Sequence, residues 1–147
     1  MTPNKIILHH SGGTDGPEAN TPGIRKWHMG TFPNGPADGP YLDIAYHALI
    51  ENVNGSYEVI IGRPWTWNGA HTVGQNDRAI GVCFIGNYND SPLPDAMLRV
   101  GARFVAWLCR LMGIPETEVY AHRQFANTDC PGDCFDMERF RMMVKDY

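Results

Sequence analysis

Several absences narrow the reading of this chain. No apolar run approaches the roughly 20 residues that a membrane-spanning helix needs, so membrane insertion is not expected. There is no basic excess. Twelve lysines and arginines stand against sixteen aspartates and glutamates, a net charge of −4, which argues against a broad nucleic-acid surface. No basic stretch precedes a long apolar segment at the start, where Met1-Thr2-Pro3-Asn4-Lys5 leads straight into Ile6-Ile7-Leu8. Synthesis in the cytoplasm without a secretory signal is therefore expected. Cysteines are few, four in 147 residues, and no two form a Cys-x-x-Cys pair. In a reducing compartment a disulfide is their less expected use. Cys83 and Cys109 lie in apolar segments and read as small buried hydrophobes, whereas Cys130 and Cys134 flank an exposed-looking Pro-Gly-Asp. What the chain does have is an apolar share of 43%, which excludes disorder. A single domain over residues 1–147 can bury about two-thirds of the surface its unfolded chain exposes. Sixteen glycines and eleven prolines imply long, shaped loops.

Lys5 to His10 reads as a buried strand stopped by Gly12-Gly13. Thr21-Pro22 predicts a helix start, with Thr21 as N-cap, and the helix runs to about Met29 with Gly30 as its stop. Thr31 to Pro40 is a loop. Ala45 to Glu51 and Tyr57 to Gly62 flank Asn54-Gly55, a hairpin signal. Arg63 to Arg78 reads as a long surface segment, and loops of that length are usually functional. Ala79 to Gly86 is almost wholly apolar, a strand covered on both faces. Pro94 to Met112 is the longest helix, with a predicted core stripe of Met97, Val100, Phe104, Leu108 and Leu111 and a stop at Gly113. Val119 to Ala121 is a short strand, and Phe135 to Val144 a terminal helix with Met137, Phe140 and Val144 inward. The predicted class is α/β: one domain, with a central mixed sheet of about five strands flanked by about three helices.

Residues able to hold zinc fall at three places, each at or after the end of a strand. His9-His10 closes the first strand, His122 follows the last, and Cys130 comes shortly after His122. Strand ends on one edge of a sheet bring such residues together. No local motif such as His-Glu-x-x-His accompanies them. Alternation along a strand lets only one of His9 and His10 face a metal, and the residues alone do not choose.

The chain resembles the zinc amidases that cut peptidoglycan between N-acetylmuramic acid and L-alanine, a superfamily of amidase-type bacteriophage lysozymes and animal peptidoglycan recognition proteins. The resemblance runs in order through Ile6-Ile7-Leu8-His9-His10-Ser11, Ile24-Arg25-Lys26-Trp27-His28, Asp43-Ile44-Ala45-Tyr46-His47 and Gly62-Arg63-Pro64-Trp65. It continues through Gly69-Ala70-His71, Gly74-Gln75-Asn76, Ile80 to Asn87, His122-Arg123 and Thr128-Asp129-Cys130-Pro131-Gly132-Asp133. It implies one zinc ion held by His9, His122 and Cys130, with His10 turned inward as a satisfied core histidine. It implies catalytic roles for Tyr46, on a central strand, and for Thr128, two residues before the cysteine ligand. Phage enzymes often carry lysine at the latter position. A neutral hydroxyl there orients water or an oxyanion instead of supplying charge. His71, Trp65 and Asn76 are candidates for the groove that takes substrate, and His28 and His47 read as structural. The Thr31–Tyr41 loop leads to Tyr46 and is expected to rim the groove. Cys134 has no counterpart in the resemblance and is expected to be a free thiol.

By this resemblance the chain is a bacteriolytic, antimicrobial hydrolase of phage or prophage type, an endolysin. It would stay in the host cytoplasm until lysis and act on the cell wall after release, as a monomer whose partner is peptidoglycan. Two alternatives stand beside it. A cytoplasmic amidase recycling soluble muropeptides would use aspartate in place of Cys130, and a non-catalytic peptidoglycan-binding protein would typically lack the cysteine.

Overall fold

A strand with no polar alternation needs cover on both faces. Lys5–His10 (β1) and Ala79–Phe84 (β4) therefore run side by side through the centre of the molecule, parallel, in register from Lys5↔Ala79 to His10↔Phe84. The computed structural model describes residues 1–14, 16, 19–31 and 35–147. The other elements are α1 (Thr21–Met29), β2 (Ala48–Val53), β3 (Ser56–Ile61), α2 (Asp95–Met112), β5 (Val119–Ala121) and α3 (Met137–Asp146). Short 3₁₀ turns lie at Glu116–Glu118 and His122–Gln124. Among the described residues the sheet order is β3-β2-β4-β1-β5, with β2 and β3 antiparallel and the other neighbouring pairs parallel. At its tip Asn54 and Gly55 take φ 52° and 89°, the left-handed pair that a two-residue hairpin turn requires. The five-stranded mixed sheet with three helices is the class the sequence predicts.

Alternation divides the sheet between two environments. Ile6, Leu8, Ile50, Ile80, Val82 and Phe84 pack with α2 and α3 in the larger core. Leu49 and Cys83 point the other way, where they meet Ile44, Ile85, Ile24 of α1 and Tyr46. His9, in register with Cys83, shares that second face and is 1% exposed. This face is covered by α1 and by irregular chain, and it carries the site.

Local departures from the sequence reading have local causes. The N-cap of α1 is Asn20, whose side chain accepts from the Gly23 N–H at 2.9 Å. Thr21 instead donates its N–H and hydroxyl to the buried Glu51 carboxylate, tying α1 to β2. Gly30 is extended (φ −78°, ψ 163°) and not left-handed, and its N–H bonds the Trp27 carbonyl at 3.1 Å. Gly113, with φ 65°, does end α2 in the expected way. The buried stripe of α2 is rotated from the predicted one: Leu98, Gly101, Ala102, Val105, Ala106 and Cys109 join Met97 and Leu108 inside, while Leu111 is 59% exposed. Small residues let the helix lie close to the sheet. A Cβ on Gly101 would stand 2.4 Å from the Phe84 ring. Arg63–Arg78 is irregular as expected but not superficial, since Arg63, Gly69, His71 and Thr72 are buried in it. The Thr31–Pro40 loop has no regular structure where it is described, and positions 32–34 lie outside the described residues.

Candidate metal centre and active site

His9 reaches the site as the penultimate residue of β1, His122 from the 3₁₀ turn that follows β5, and Cys130 from the loop beyond it. Their ligand atoms all lie within 4.8 Å of one another, and His9 Nδ1 is 3.6 Å from Cys130 Sγ. The cysteine is set by its loop. Arg123 bonds the Cys130 carbonyl through its backbone N–H (2.9 Å) and the Gly132 carbonyl through its guanidinium (2.8 Å). Gly132 has φ 113° and presses on Tyr88, where a Cβ would come within 2.4 Å of the backbone carbonyl. Only glycine meets both demands there. His10 is half-buried rather than part of the core. Its Nδ1 accepts from the Tyr88 N–H at 3.2 Å and its own N–H donates to Cys130 Sγ at 3.4 Å. Cys134 is a free thiol bonded to the Asn89 carbonyl at 3.1 Å, and Cys83 and Cys109 are buried as expected.

The electrostatics favour lone pairs over charge. Burial holds the His9 imidazole well below the usual histidine range, helped by the neighbouring His71, His122 and His10. Burial likewise lowers His122. The Cys130 thiol is pushed up to about 11 by burial, with the His10 N–H and the Arg123 charge pulling the other way. Two neutral imidazoles and a buried sulfur converging on one point make a soft-to-borderline donor set. That set suits zinc and does not suit an all-oxygen cation such as magnesium.

Around this centre lies a cleft of about 450 Å³, lined by His10, Trp27, His28, Asp38, Tyr41, Tyr46, His71 and Thr128 among others. Tyr46 sits two residues before β2 instead of within it. Ala45 spends its N–H on His28 Nδ1 and its carbonyl on the Ala70 N–H, which delays the strand. The Tyr46 ring stands 5.2 Å from that of His9, and burial, then the Cys83 and Cys130 sulfurs, hold its hydroxyl proton well above the ordinary tyrosine range. Thr128 Oγ1 accepts the Cys130 N–H at 3.2 Å, a local turn that leaves the hydroxyl hydrogen for donation. Pro36, Ala37, Asp38 and Tyr41 bring the loop onto the rim of the cleft. Two of the three groove candidates are elsewhere. Trp65 packs against Phe104 and Trp107 of α2, with ring centroids 6.2 and 6.4 Å away. Asn76 Oδ1 accepts the N–H groups of His71 (2.9 Å) and Thr72 (2.8 Å), so it staples the Gly69–Asn76 loop from within.

Residues that the sequence reading passed over hold this wall in place. The buried Arg63 guanidinium donates to the carbonyls of Ile44 (2.9 Å), Asp43 (2.9 Å) and Asn68 (2.6 Å), joining the two irregular segments. In the sequence Arg63 stood out only as part of the Gly62-Arg63-Pro64-Trp65 block of the resemblance, with no role attached to it. His28, read as structural, also lines the cleft. His47 is wholly buried, accepting the Gly81 N–H at Nδ1 and facing the Trp67 carbonyl with Nε2, both at 3.0 Å. A carbonyl can only accept, so Nε2 carries the proton and the ring is neutral.

A pH dependence follows. Burial lowers both His28 and His47 from 6.5 to about 4. Below about 6.5 the unfolded chain therefore takes up protons that the folded chain refuses. The stabilisation is complete above that value and is lost as the pH falls towards about 4, by up to about 3 kcal/mol for each ring. The urea midpoint should accordingly drop between about pH 7 and about pH 5. A midpoint constant over that window would contradict the two buried neutral rings.

Fold and site together define a class: an α/β domain in which two histidines and one cysteine converge beside a cleft, a candidate cation site with the ligand number of catalytic zinc centres. The chain belongs to the N-acetylmuramoyl-L-alanine amidase family, whose profile matches residues 1–133. It is 35% identical to human N-acetylmuramoyl-L-alanine amidase over 124 residues, 82% of this chain and 20% of that protein. It is 32% identical to Drosophila melanogaster peptidoglycan-recognition protein SC2 over 110 residues, 74% of this chain and 54% of that one. The chain thus spans about a fifth and about half of these relatives. The endolysin amidase LysCS of Clostridium intestinale has the same fold, with a TM-score of 0.82 at 24% identity over 98% of this chain and 84% of that one.

Proposed function

We propose that this chain is a zinc-dependent amidase that hydrolyses the bond between N-acetylmuramic acid and L-alanine in peptidoglycan, with residues 1–147 as one catalytic domain. The convergence of His9, His122 and Cys130 at the floor of a cleft carries the reading. Zinc held by His9, His122 and Cys130 would supply Lewis acidity towards the amide carbonyl and would lower the pKa of water. The chain's own groups do the rest. His9 and His122 offer neutral nitrogen lone pairs, and Cys130 is the anionic ligand once its proton is displaced. Burial raises the Tyr46 hydroxyl above the ordinary tyrosine range, and as a proton-bearing group it serves as a donor to the carbonyl oxygen as negative charge grows there. Thr128, whose Oγ1 is fixed by the Cys130 N–H, has its hydroxyl hydrogen left to donate into the same cleft. Trp27, His28 and Tyr41 give the cleft an aromatic wall suited to sugar and peptide methyl groups. A bacteriolytic role, that of a phage or prophage endolysin acting on the wall after release, is the finer part of the proposal.

Digestion of purified sacculi with and without a chelator tests this. Mass spectrometry should find new L-alanine amino termini and intact glycan, only in the metal-replete sample. New reducing ends would indicate a glycosidase, and binding without cleavage a receptor. Tyr46→Phe should lower kcat roughly 100- to 1,000-fold while leaving zinc content unchanged. An unchanged kcat would remove the hydroxyl from the mechanism.

A further inference from the structure

The ring of His71 is more tightly confined than a groove wall needs. A Cβ on Gly69 would lie 2.4 Å from its Cδ2, and one on Gly81, in the middle of β4, would lie 2.5 Å from the same atom. A glycine inside a central strand weakens that strand and marks a close approach by another group. Here the group is this imidazole. Its Nε2 faces the Ala79 carbonyl at 3.3 Å, and its Nδ1 lies 3.0 Å from both His9 Nε2 and the Thr72 hydroxyl. The Thr72 hydroxyl is itself 3.4 Å from His9 Nε2.

The donor and acceptor roles in this chain of contacts follow from one end. The Ala79 carbonyl can only accept, so the His71 proton sits on Nε2 and Nδ1 is left as a lone pair. A lone pair there, with a hydroxyl oxygen beside it, calls for a proton on His9 Nε2. His9 Nδ1 is then the unprotonated nitrogen, and it is the one that faces Cys130 Sγ. We propose that His71 is a positioning residue, which accepts the His9 Nε2–H at its own Nδ1 and so holds His9 in the tautomer that presents its Nδ1 lone pair to the metal. The partner behind a metal-bound histidine is usually a carboxylate, a carbonyl or water. A neutral imidazole orients the ligand without adding negative charge behind it, which leaves more of the cation's charge for the substrate carbonyl.

The inference rests on His9 being a metal ligand, and the tests separate the two ideas. In the full chain without metal, long-range proton–nitrogen NMR should find the His9 proton on Nε2; a proton on Nδ1 overturns the proposal. In chelator competition with zinc, His71→Leu should raise Kd roughly 10- to 100-fold. His71→Asn, whose Oδ1 replaces the Nδ1 acceptor, should stay within about threefold of the wild type. Equal zinc Kd values for folded His71→Leu and wild type, or a raised KM with zinc Kd unchanged, would assign His71 to substrate binding instead. If His71→Leu fails to fold, the wild-type spectrum and His71→Asn still decide. A wild-type chain that binds no zinc defeats the metal reading itself, while the spectrum continues to report the tautomer.

Discussion

Replacing Cys130 with alanine should leave a folded chain that retains no zinc and cuts the muramoyl–alanine bond at least about a thousandfold more slowly. The sulfur's contacts are with the site: the His10 N–H at 3.4 Å, His9 Nδ1 at 3.6 Å and the more distant His10 carbonyl. The loop around it is held by other groups, chiefly Arg123 on the Cys130 and Gly132 carbonyls and Cys134 N–H on the Tyr88 carbonyl. The side chain can therefore go while the loop stays. Two histidines alone do not make a closed three-ligand set, so affinity and Lewis acidity fall together. Metal analysis, circular dichroism and the sacculus assay on one preparation give the answer. Full activity in a zinc-free variant would end the metal assignment, and an unfolded variant would show that Cys130 is structural.

Phe84→Ala should cost about 3–5 kcal/mol, a large share of the 5–15 kcal/mol that holds an ordinary domain together. Phe84 is fully buried and sits edge-on to Phe135 and Phe140, with ring centroids at 5.2 and 5.8 Å. Gly101 of α2 lies flat against the same ring. One side chain thus joins the central strand, the long helix and the terminal helix, and those neighbours cannot close the gap without moving apart from one another. Urea unfolding measures the loss. A change below about 1 kcal/mol would mean that α2 and α3 collapse into the space and that the three-way contact has been overvalued.

The elements were largely legible because they rest on local chemistry. Asn54-Gly55 had to be a turn, Ala79 to Phe84 had to be covered on both faces, and Gly113 had to end α2. The candidate donors were visible at the strand ends, but only resemblance chose His9 over His10 and made them a set, because His9 and Cys130 stand 121 positions apart and no spacing rule links them. What was not legible depended on competition in three dimensions. Thr21 was an obvious cap until Glu51 took its hydroxyl. The regular stripe on α2 gave way to Gly101 and Ala102, since closeness to Phe84 mattered more than apolar bulk. Trp65 and Asn76 belong to the same segment as His71, yet one turns to α2 and the other turns back on its own loop. Gly81 looked like an ordinary apolar-strand residue, and its purpose is visible only with the His71 ring lying over it.

The position of β1 has a consequence for how the chain is made. It is the first strand in sequence, yet both of its sheet neighbours come late, β4 at Ala79–Phe84 and β5 at Val119–Ala121. During synthesis Ile6-Ile7-Leu8 must wait for Ala79–Phe84 before its first native pairing, and for Val119–Ala121 before its second. Sheets built from such distant pairings fold slowly, and waiting strands with two open edges are prone to stick to one another. The ribosome-bound or newly released chain is therefore the vulnerable form. Yield on overexpression should respond to slower synthesis and lower temperature more than to any change that strengthens the finished fold.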